Sequence, residues 1–342
     1  MTRAVSELAR VVRGIRRRTA RLMVRASAAI APAAPPAAPQ ADEPEAEPIV
    51  PEPIRFPTAR PLPLPEEWSE AEIREVMSTF RIDASPEGSL QPYVDDALWR
   101  FLHTWGMVRD ESGRALELGA NPYFITWLLH EHTGLDLELA NYFGAPAGSY
   151  QQLLTYRSRG VDAELPCTFQ QFNLEEDRFP YDDGSFEVVV FCEIIEHLLM
   201  DPLHSLREIR RVLAPNGLLV LSTPNVARLG NVLSMIEGLN IYDPYSGHGP
   251  YGRHNREFTR HELHRLLEFA GFGEITSFTA DAHPSHDTTR GPYDAVAPSL
   301  TGRADDLGQY VFVAARATAE PRPGLPTMLY RSWPAEQLVE YW

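Results

Sequence analysis

The stretch from Phe179 to Asn225, FPYDDGSFEVVVFCEIIEHLLMDPLHSLREIRRVLAPNGLLVLSTPN, decides the fold. An apolar run, Val188 to Phe191, predicts a strand, and a Glu/His-bearing segment follows it. Ser205 to Leu213 has the spacing of an amphipathic helix, and Pro215-Asn216-Gly217 marks a turn. A second apolar run, Leu218 to Ser222, ends at Thr223-Pro224-Asn225. Two strands joined by a helix form one right-handed crossover, so the sheet is expected to be parallel here.

Outward from this unit, further strands are predicted at Ala115 to Leu118, Leu135 to Ala140 and Thr168 to Phe172, with an inserted strand at Gln151 to Tyr156. Phe124 to His130 begins the helix after the first strand, and Thr259 to Ala270 is another helix. Gly273 to Ala280 and Gln309 to Ala315 are read as the last two strands, paired antiparallel at one edge. Trp68 to Phe80 and Tyr93 to Met107 read as amphipathic helices ahead of the first strand. No internal repeat is evident.

Composition narrows the function. The chain of 342 residues has 31 basic residues, all arginine, and a formal net charge of −16. Residues 1–30 hold eight arginines against the single acid Glu7, about +7, which leaves about −23 for residues 31–342. So acidic a body argues against a nucleic-acid partner. The two cysteines, Cys167 and Cys192, point to a reduced, cytoplasmic protein rather than a disulfide scaffold. No run of 18 apolar residues exists, so no transmembrane segment is expected. Residues 3–25 place apolar side chains at helical spacing between arginines. They read as a peripheral anchor on anionic membrane or a partner-docking helix, with a transit peptide or a solvated basic tail as the alternatives. Residues 31–65 carry twelve prolines and many alanines and read as a disordered linker. The expected organisation is a basic segment (1–30), the linker (31–65), N-terminal helices (66–110), a catalytic domain (111–316) with a lid insertion (225–255), and a tail (317–342).

Three motifs carry the chemistry: S-F-E-V-V-V with a following E-I-I-E-H-L, R-V-L-A-P-N-G-L-L-V with a following T-P-N, and the later F-T-R-H-E-L-H-R-L-L-E-F-A-G-F. Together they resemble the class I S-adenosylmethionine (SAM) dependent methyltransferases, of the type 11/12 kind, over roughly residues 100–316. The resemblance implies an α/β, Rossmann-like, doubly wound sheet of seven strands, parallel but for one antiparallel edge strand, with helices on both faces. It also implies SAM as cofactor and methyl transfer to an acceptor nucleophile, most simply a hydroxyl.

The same resemblance assigns the cofactor positions. Strand one ends in Glu117-Leu118-Gly119-Ala120-Asn121-Pro122-Tyr123, where the family has an acidic residue and a loop of three glycines. Only Gly119 is kept; Asn121 tolerates a left-handed turn, and Tyr123 makes the loop bulkier. Glu117 is expected to meet the cationic methionine end of SAM. Asn141 stands where an acid usually holds the ribose, with Glu138 as the alternative. Asn173 stands where an acid usually meets the adenine amine, and Leu174 follows to pack on the ring. Glu193, directly after strand four, is expected to face the methionine moiety.

Glu193, Glu196 and His197 are spaced i, i+3, i+4, so on a helix all three share one face. This E-x-x-E-H pattern resembles the ubiquinone-pathway O-methyltransferases. It also resembles the small-RNA 3′-terminal ribose 2′-O-methyltransferases, in which the triplet and a later histidine hold a metal; the matching histidine here is His254. The candidate metal set is therefore Glu193, Glu196, His197 and His254, with magnesium or manganese favoured by the carboxylates. Without a metal, His197 is the candidate general base. In the segment Asn225 to Asn255, Tyr242, Tyr245 and Tyr251 are candidates to stack on an acceptor. The acceptor class read from this is a glycan or small metabolite. Ribose methylation of RNA and a non-catalytic SAM-fold scaffold are the alternatives.

Overall fold

The computed structural model describes residues 60–83, 90–282 and 293–342. The basic segment 3–25 and nearly all of the linker 31–65 lie outside the described residues.

The sheet has nine strands rather than seven. In chain order they are β1 (Arg81–Ile82), β2 (Ser112–Leu118), β3 (Gly134–Asn141), β4 (Gly148–Ser158), β5 (Val161–Gln171), β6 (Phe186–Cys192), β7 (Leu213–Pro224), β8 (Gly273–Ala280) and β9 (Tyr310–Arg316). Their spatial order is β1-β4-β5-β3-β2-β6-β7-β9-β8. The pairs from β5 through β3, β2 and β6 to β7 are parallel. β9 runs antiparallel between β7 and β8. β4 is the inserted strand expected at Gln151 to Tyr156, here longer, and β1 is the unexpected one; β4 pairs antiparallel with β5 along its whole length. A two-residue turn makes that hairpin: Arg159 and Gly160 both have positive φ, 48° and 82°, the turn geometry that follows the twist of paired strands.

The helices are α1 (Glu70–Ser78), α2 (Gln91–Val108), α3 (Phe124–His132), α4 (Pro202–Val212), α5 (Leu229–Ile236), α6 (Arg260–Phe269) and α7 (Tyr293–Leu300). Both sheet faces are covered, and the central strands show it residue by residue. Val188 and Val190 of β6 join one core with Ile73, Leu98, Leu102 and Trp127, while Val189 and Phe191 join another with Leu206, Ile209 and Leu263. A two-residue alternation between two apolar cores is why β6 reads as an unbroken apolar run. α4 buries Leu203, Leu206, Ile209 and Val212. Its start is set by Pro202 and by the Asp201 side chain, which accepts the His204 N–H. α6 opens with a capping box, Thr259 and Glu262 exchanging hydrogen bonds.

The Pro215-Asn216-Gly217 turn falls inside β7 as a bulge. Asn216 takes φ 65°, and a Cβ on Gly217 would lie 2.9 Å from the Ala214 carbonyl oxygen. The C-terminal residues fold back as the small pair β10 (Leu325–Pro326) and β11 (Leu338–Val339). Tyr330 then ties them to the start of α4, its hydroxyl donating to Asp201 Oδ1 and accepting from the Leu203 N–H.

Candidate functional site

A cavity of about 330 Å³ opens at the carboxyl ends of β2, β3, β5 and β6. Gly119, Asn121, Asn141, Asn173, Leu174, Glu193 and His197 all line it, with Tyr142, Ile194 and Tyr251. Eight of the residues picked from the sequence, Tyr251 among them, thus line one cavity. Glu117, Ala120, Glu196 and His254 do not reach it.

The loop after β2 shows how one glycine suffices. Gly119 has φ 70°, and a Cβ there would sit 2.7 Å from Ile194 Cδ1. The N–H groups of Gly119 and Ala120 both donate to the Ala140 carbonyl, and Asn121 N–H donates to Asn141 Oδ1 at 2.8 Å. Tyr123, at the third glycine position, takes φ 69° and turns its ring into the core, fully buried. Its hydroxyl donates to Gln152 Oε1 at 2.6 Å, and the Asn121 side-chain amide donates to the same oxygen. The tyrosine, which makes the loop bulkier, does not line the cavity. Gln152, on β4, is a positioning residue that the sequence did not single out.

Glu117 departs from expectation. It is buried away from the cavity wall, and Thr126 Oγ1 donates to it at 2.6 Å. Burial pushes its carboxyl up to about 8, against which the Thr126 hydrogen bond is the smaller effect. Asn173 holds the turn after β5, its Oδ1 accepting the Glu175 N–H.

The Glu193-Glu196-His197 segment is not an α-helix. Pro202 begins α4, and only a single 3₁₀ turn, Ile195–His197, precedes it. Glu193 has φ 57° and lies before that turn, so the three side chains do not share a face. Both oxygens of Glu193 are engaged, by Arg100 Nη1 at 2.7 Å and by Ser222 Oγ at 2.8 Å. Among the described residues Glu193 does not join the group whose ligand atoms come together. Arg100 is a buried arginine of α2, and its Nη2 donates to the Tyr93 hydroxyl. The sequence reading did not single it out.

Glu196, His197 and His254 do come together, with one candidate ligand atom from each lying within 4.8 Å of the others. Glu196 is 0% exposed; Thr223 donates to one of its oxygens, and the other, Oε1, has no hydrogen-bond partner. Burial first, and then the neighbouring Glu193, hold its carboxyl well above the usual range. His197 Nδ1 lies 2.9 Å from the Arg253 carbonyl oxygen. A carbonyl only accepts, so Nδ1 carries the proton and Nε2 keeps the lone pair. Burial, and then the adjacent His254, lower the His197 pKa. His254, with its ring 5.0 Å from that of His197, is shifted the other way. Burial would lower it, but the Glu257 carboxylate at 3.0 Å and the field of Asp243 outweigh that and raise it. The segment carrying His254 is strapped to the site: Asn255 N–H donates to the Glu196 carbonyl at 2.7 Å and Asn255 Nδ2 to the His197 carbonyl at 2.8 Å.

A parallel sheet in this strand order, with a glycine turn under a cavity at its carboxyl edge, defines a nucleotide-binding α/β domain of the methyltransferase class. Residues 91–276 match the methyltransferase domain family, more than half of the chain, and the chain belongs to that family. SAM is the family's cofactor. A probable SAM-dependent methyltransferase of Mycobacterium tuberculosis is 37% identical over 106 residues, covering 31% of this chain and 32% of that protein. The chain thus spans about a third of the length of the curated relatives it matches. Among solved structures, a SAM-dependent methyltransferase from Archaeoglobus fulgidus superposes with a TM-score of 0.43 and 13% identity, covering 63% of this chain and 90% of that one. The Haemonchus contortus phosphoethanolamine N-methyltransferase 2 in complex with SAM superposes with a TM-score of 0.36 and 12% identity, covering 64% and 52%.

Proposed function

We propose that this protein transfers a methyl group from SAM to an acceptor hydroxyl, on a glycan or small metabolite, with His197 as the general base. The observation that carries this is the state of His197: a cavity-lining imidazole with its tautomer fixed by the Arg253 carbonyl and its basicity lowered by burial. Such a group is a free base at neutral pH.

The residues lining the cavity suit the cofactor: Gly119 would allow close backbone approach, Glu193 would border the methionine end, Asn141 the ribose and Asn173 with Leu174 the adenine, with Asn121 in the same loop. Bound SAM supplies an electrophilic methyl: the acceptor oxygen forms the O–CH₃ bond as the S–CH₃ bond breaks, its electron pair staying on sulfur. His197 Nε2 takes the hydroxyl proton. Placement of the reactants side by side in the cavity can supply about 7–11 kcal/mol of the barrier reduction. The positioned base adds on the order of 10²–10⁴ in rate.

A second reading rests on Glu196. An orphaned buried carboxylate oxygen beside two imidazoles is a half-built divalent-metal shell. With Glu193 committed to Arg100, the donor set is one carboxylate and two histidines, which shifts the preference from magnesium towards manganese, iron or zinc. Bound there, the metal would supply Lewis acidity that lowers the pKa of the acceptor hydroxyl. A cytoplasmic setting accords with this chemistry, and no helix among the described residues is long and apolar enough to cross a membrane.

Calorimetric titration of the full chain with S-adenosylhomocysteine, alone and with magnesium or manganese, tests these readings. Micromolar binding independent of metal supports the histidine base. Binding enhanced by manganese but not magnesium supports the Glu196/His197/His254 centre. A folded protein that ignores S-adenosylhomocysteine is a non-catalytic scaffold, and both readings fall.

A further inference from the structure

The segment between β7 and α6 carries three tyrosines that the sequence offers to an acceptor: Tyr242, Tyr245 and Tyr251. Tyr242 and Tyr245 are 82% and 93% exposed, and neither lines the cofactor cavity. Tyr251 is half-buried and does line it, from a single 3₁₀ turn, Pro250–Gly252.

The contacts that hold Tyr251 point to the cofactor rather than to the acceptor. Its hydroxyl donates to Glu175 Oε2 at 3.1 Å. Glu175 is buried, two residues beyond Asn173, and its own N–H donates to Asn173 Oδ1. Its remaining bonds come from backbone N–H groups: Leu199 to Oε2, and Met200 and Asp201 to Oε1. Each carboxylate oxygen thus takes two donors, which fills it, and the Tyr251 hydroxyl holds the one place not taken by backbone. On its other side, the Tyr251 ring meets Tyr142 edge to face, with centroids 6.0 Å and planes 89° apart. Tyr142 directly follows Asn141 and lines the same cavity. The ring is therefore tied to the residues just past the ends of β5 and β3. The strand order β5-β3-β2-β6 puts those ends on one side of the cavity and Gly119 and Glu193, after β2 and β6, on the other. The first side carries the adenine and ribose positions, where Phe172 and Leu174 add apolar wall.

We propose that Tyr251 is a cofactor-binding residue whose ring packs on the adenosine end of SAM, and that Glu175 is the positioning residue that holds it there. The proposal rests on the cofactor placement given above and moves Tyr251 from the acceptor to the cofactor. Because protein contacts already fix the ring, little side-chain freedom is lost when the cofactor binds.

The test is calorimetric titration of the full chain with S-adenosylhomocysteine, together with competition by 5′-methylthioadenosine, which keeps the adenosine and lacks the amino-acid end. The wild-type chain should bind both. Tyr251→Phe keeps the ring and leaves the three backbone bonds of Glu175 in place. It should weaken both ligands by the same factor, about three- to tenfold, the effect of freeing one side chain. Tyr251→Ala loses the ring as well and should weaken both by about tenfold more. Thermal melts check that each variant folds, and the Phe variant carries the test if the Ala variant does not. Unchanged affinity in the variants would overturn the proposal and leave the cofactor site standing. A loss confined to S-adenosylhomocysteine would put the contact at the amino-acid end and overturn it, as would a wild-type chain that takes S-adenosylhomocysteine but not 5′-methylthioadenosine. A loss in Tyr251→Ala alone would overturn the role of Glu175. A folded wild-type chain that binds neither ligand would sink the cofactor reading itself.

Discussion

At the scale of single residues, the site is a set of buried ionisable groups pushed in opposite directions. Burial, and then the neighbouring His254, lower His197, whereas burial of His254 is outweighed by its hydrogen bond to Glu257 and the field of Asp243, which raise it. Opposed shifts in neighbouring groups are the pattern of an acid/base pair. With His197 as base, activity is lost as pH falls through its pKa, and that pKa lies below the ordinary 6.5. The acid limb of the kcat/KM profile should therefore fall below pH 6.5, and His197→Ala should lose on the order of 10²–10⁴ in kcat. A limb above that pH would exclude His197 as the base. Glu117 carries a stability prediction. The folded chain holds its proton up to about pH 8, the unfolded chain only to 4.5. The folded state thus binds more protons between these values, and stability declines as pH rises through that window. Glu117→Gln should leave stability nearly unchanged at the lower end and raise it by a few kcal/mol above pH 8, read by denaturant melts at both ends. A pH-independent difference would show that the carboxyl is already ionised in the fold. Much of this was legible: His197, Asn141 and Asn173 were found by position in a motif. Glu117 was not, because its direction depends on Thr126, nine residues away on α3, and burial has no local signature.

At the scale of elements, the antiparallel pairing of β4 with β5 into one long hairpin is what the expected plan lacked. Gln152 hangs from it over the cofactor loop and takes two donors, the Tyr123 hydroxyl and the Asn121 amide. Where the family uses glycine to make this loop, the present chain holds larger residues in place from the neighbouring strand. Gln152→Ala should leave both donors unpaired, costing about 1–3 kcal/mol, and should weaken S-adenosylhomocysteine binding with a modest fall in melting temperature. Unchanged affinity would show that the loop holds its shape without β4. Strands β6 and β7 were readable because Val188–Phe191 and Leu218–Leu221 are unbroken apolar runs buried on both faces. The hairpin was harder: β4 is exposed over its first four residues, and β5 alternates over its first half, so only parts of each resembled a strand. The Glu193–His197 turn misled for another reason. Its i, i+3, i+4 spacing is helical, but Glu193 at φ 57° and the start of α4 at Pro202 leave no length for a helix.

At the scale of the whole molecule, charge is divided unevenly. Residues 1–30 carry about +7 against about −23 for the rest. The acidic part is repelled by anionic surfaces, so any attraction to them must come from the first segment. Full-length protein should co-sediment with anionic vesicles at low salt and lose that property when residues 1–30 are removed; equal pelleting of the two forms would remove the anchor reading.

The strap formed by Arg253 and Asn255 bears on the base. The carbonyl that fixes the His197 tautomer belongs to the same short segment whose amide groups grip the Glu196 and His197 carbonyls. Displacing that segment would release the imidazole Nδ1 and erase the preference that leaves Nε2 basic. On the histidine-base reading, the contacts that hold this segment against the site are thus the same ones that keep Nε2 basic.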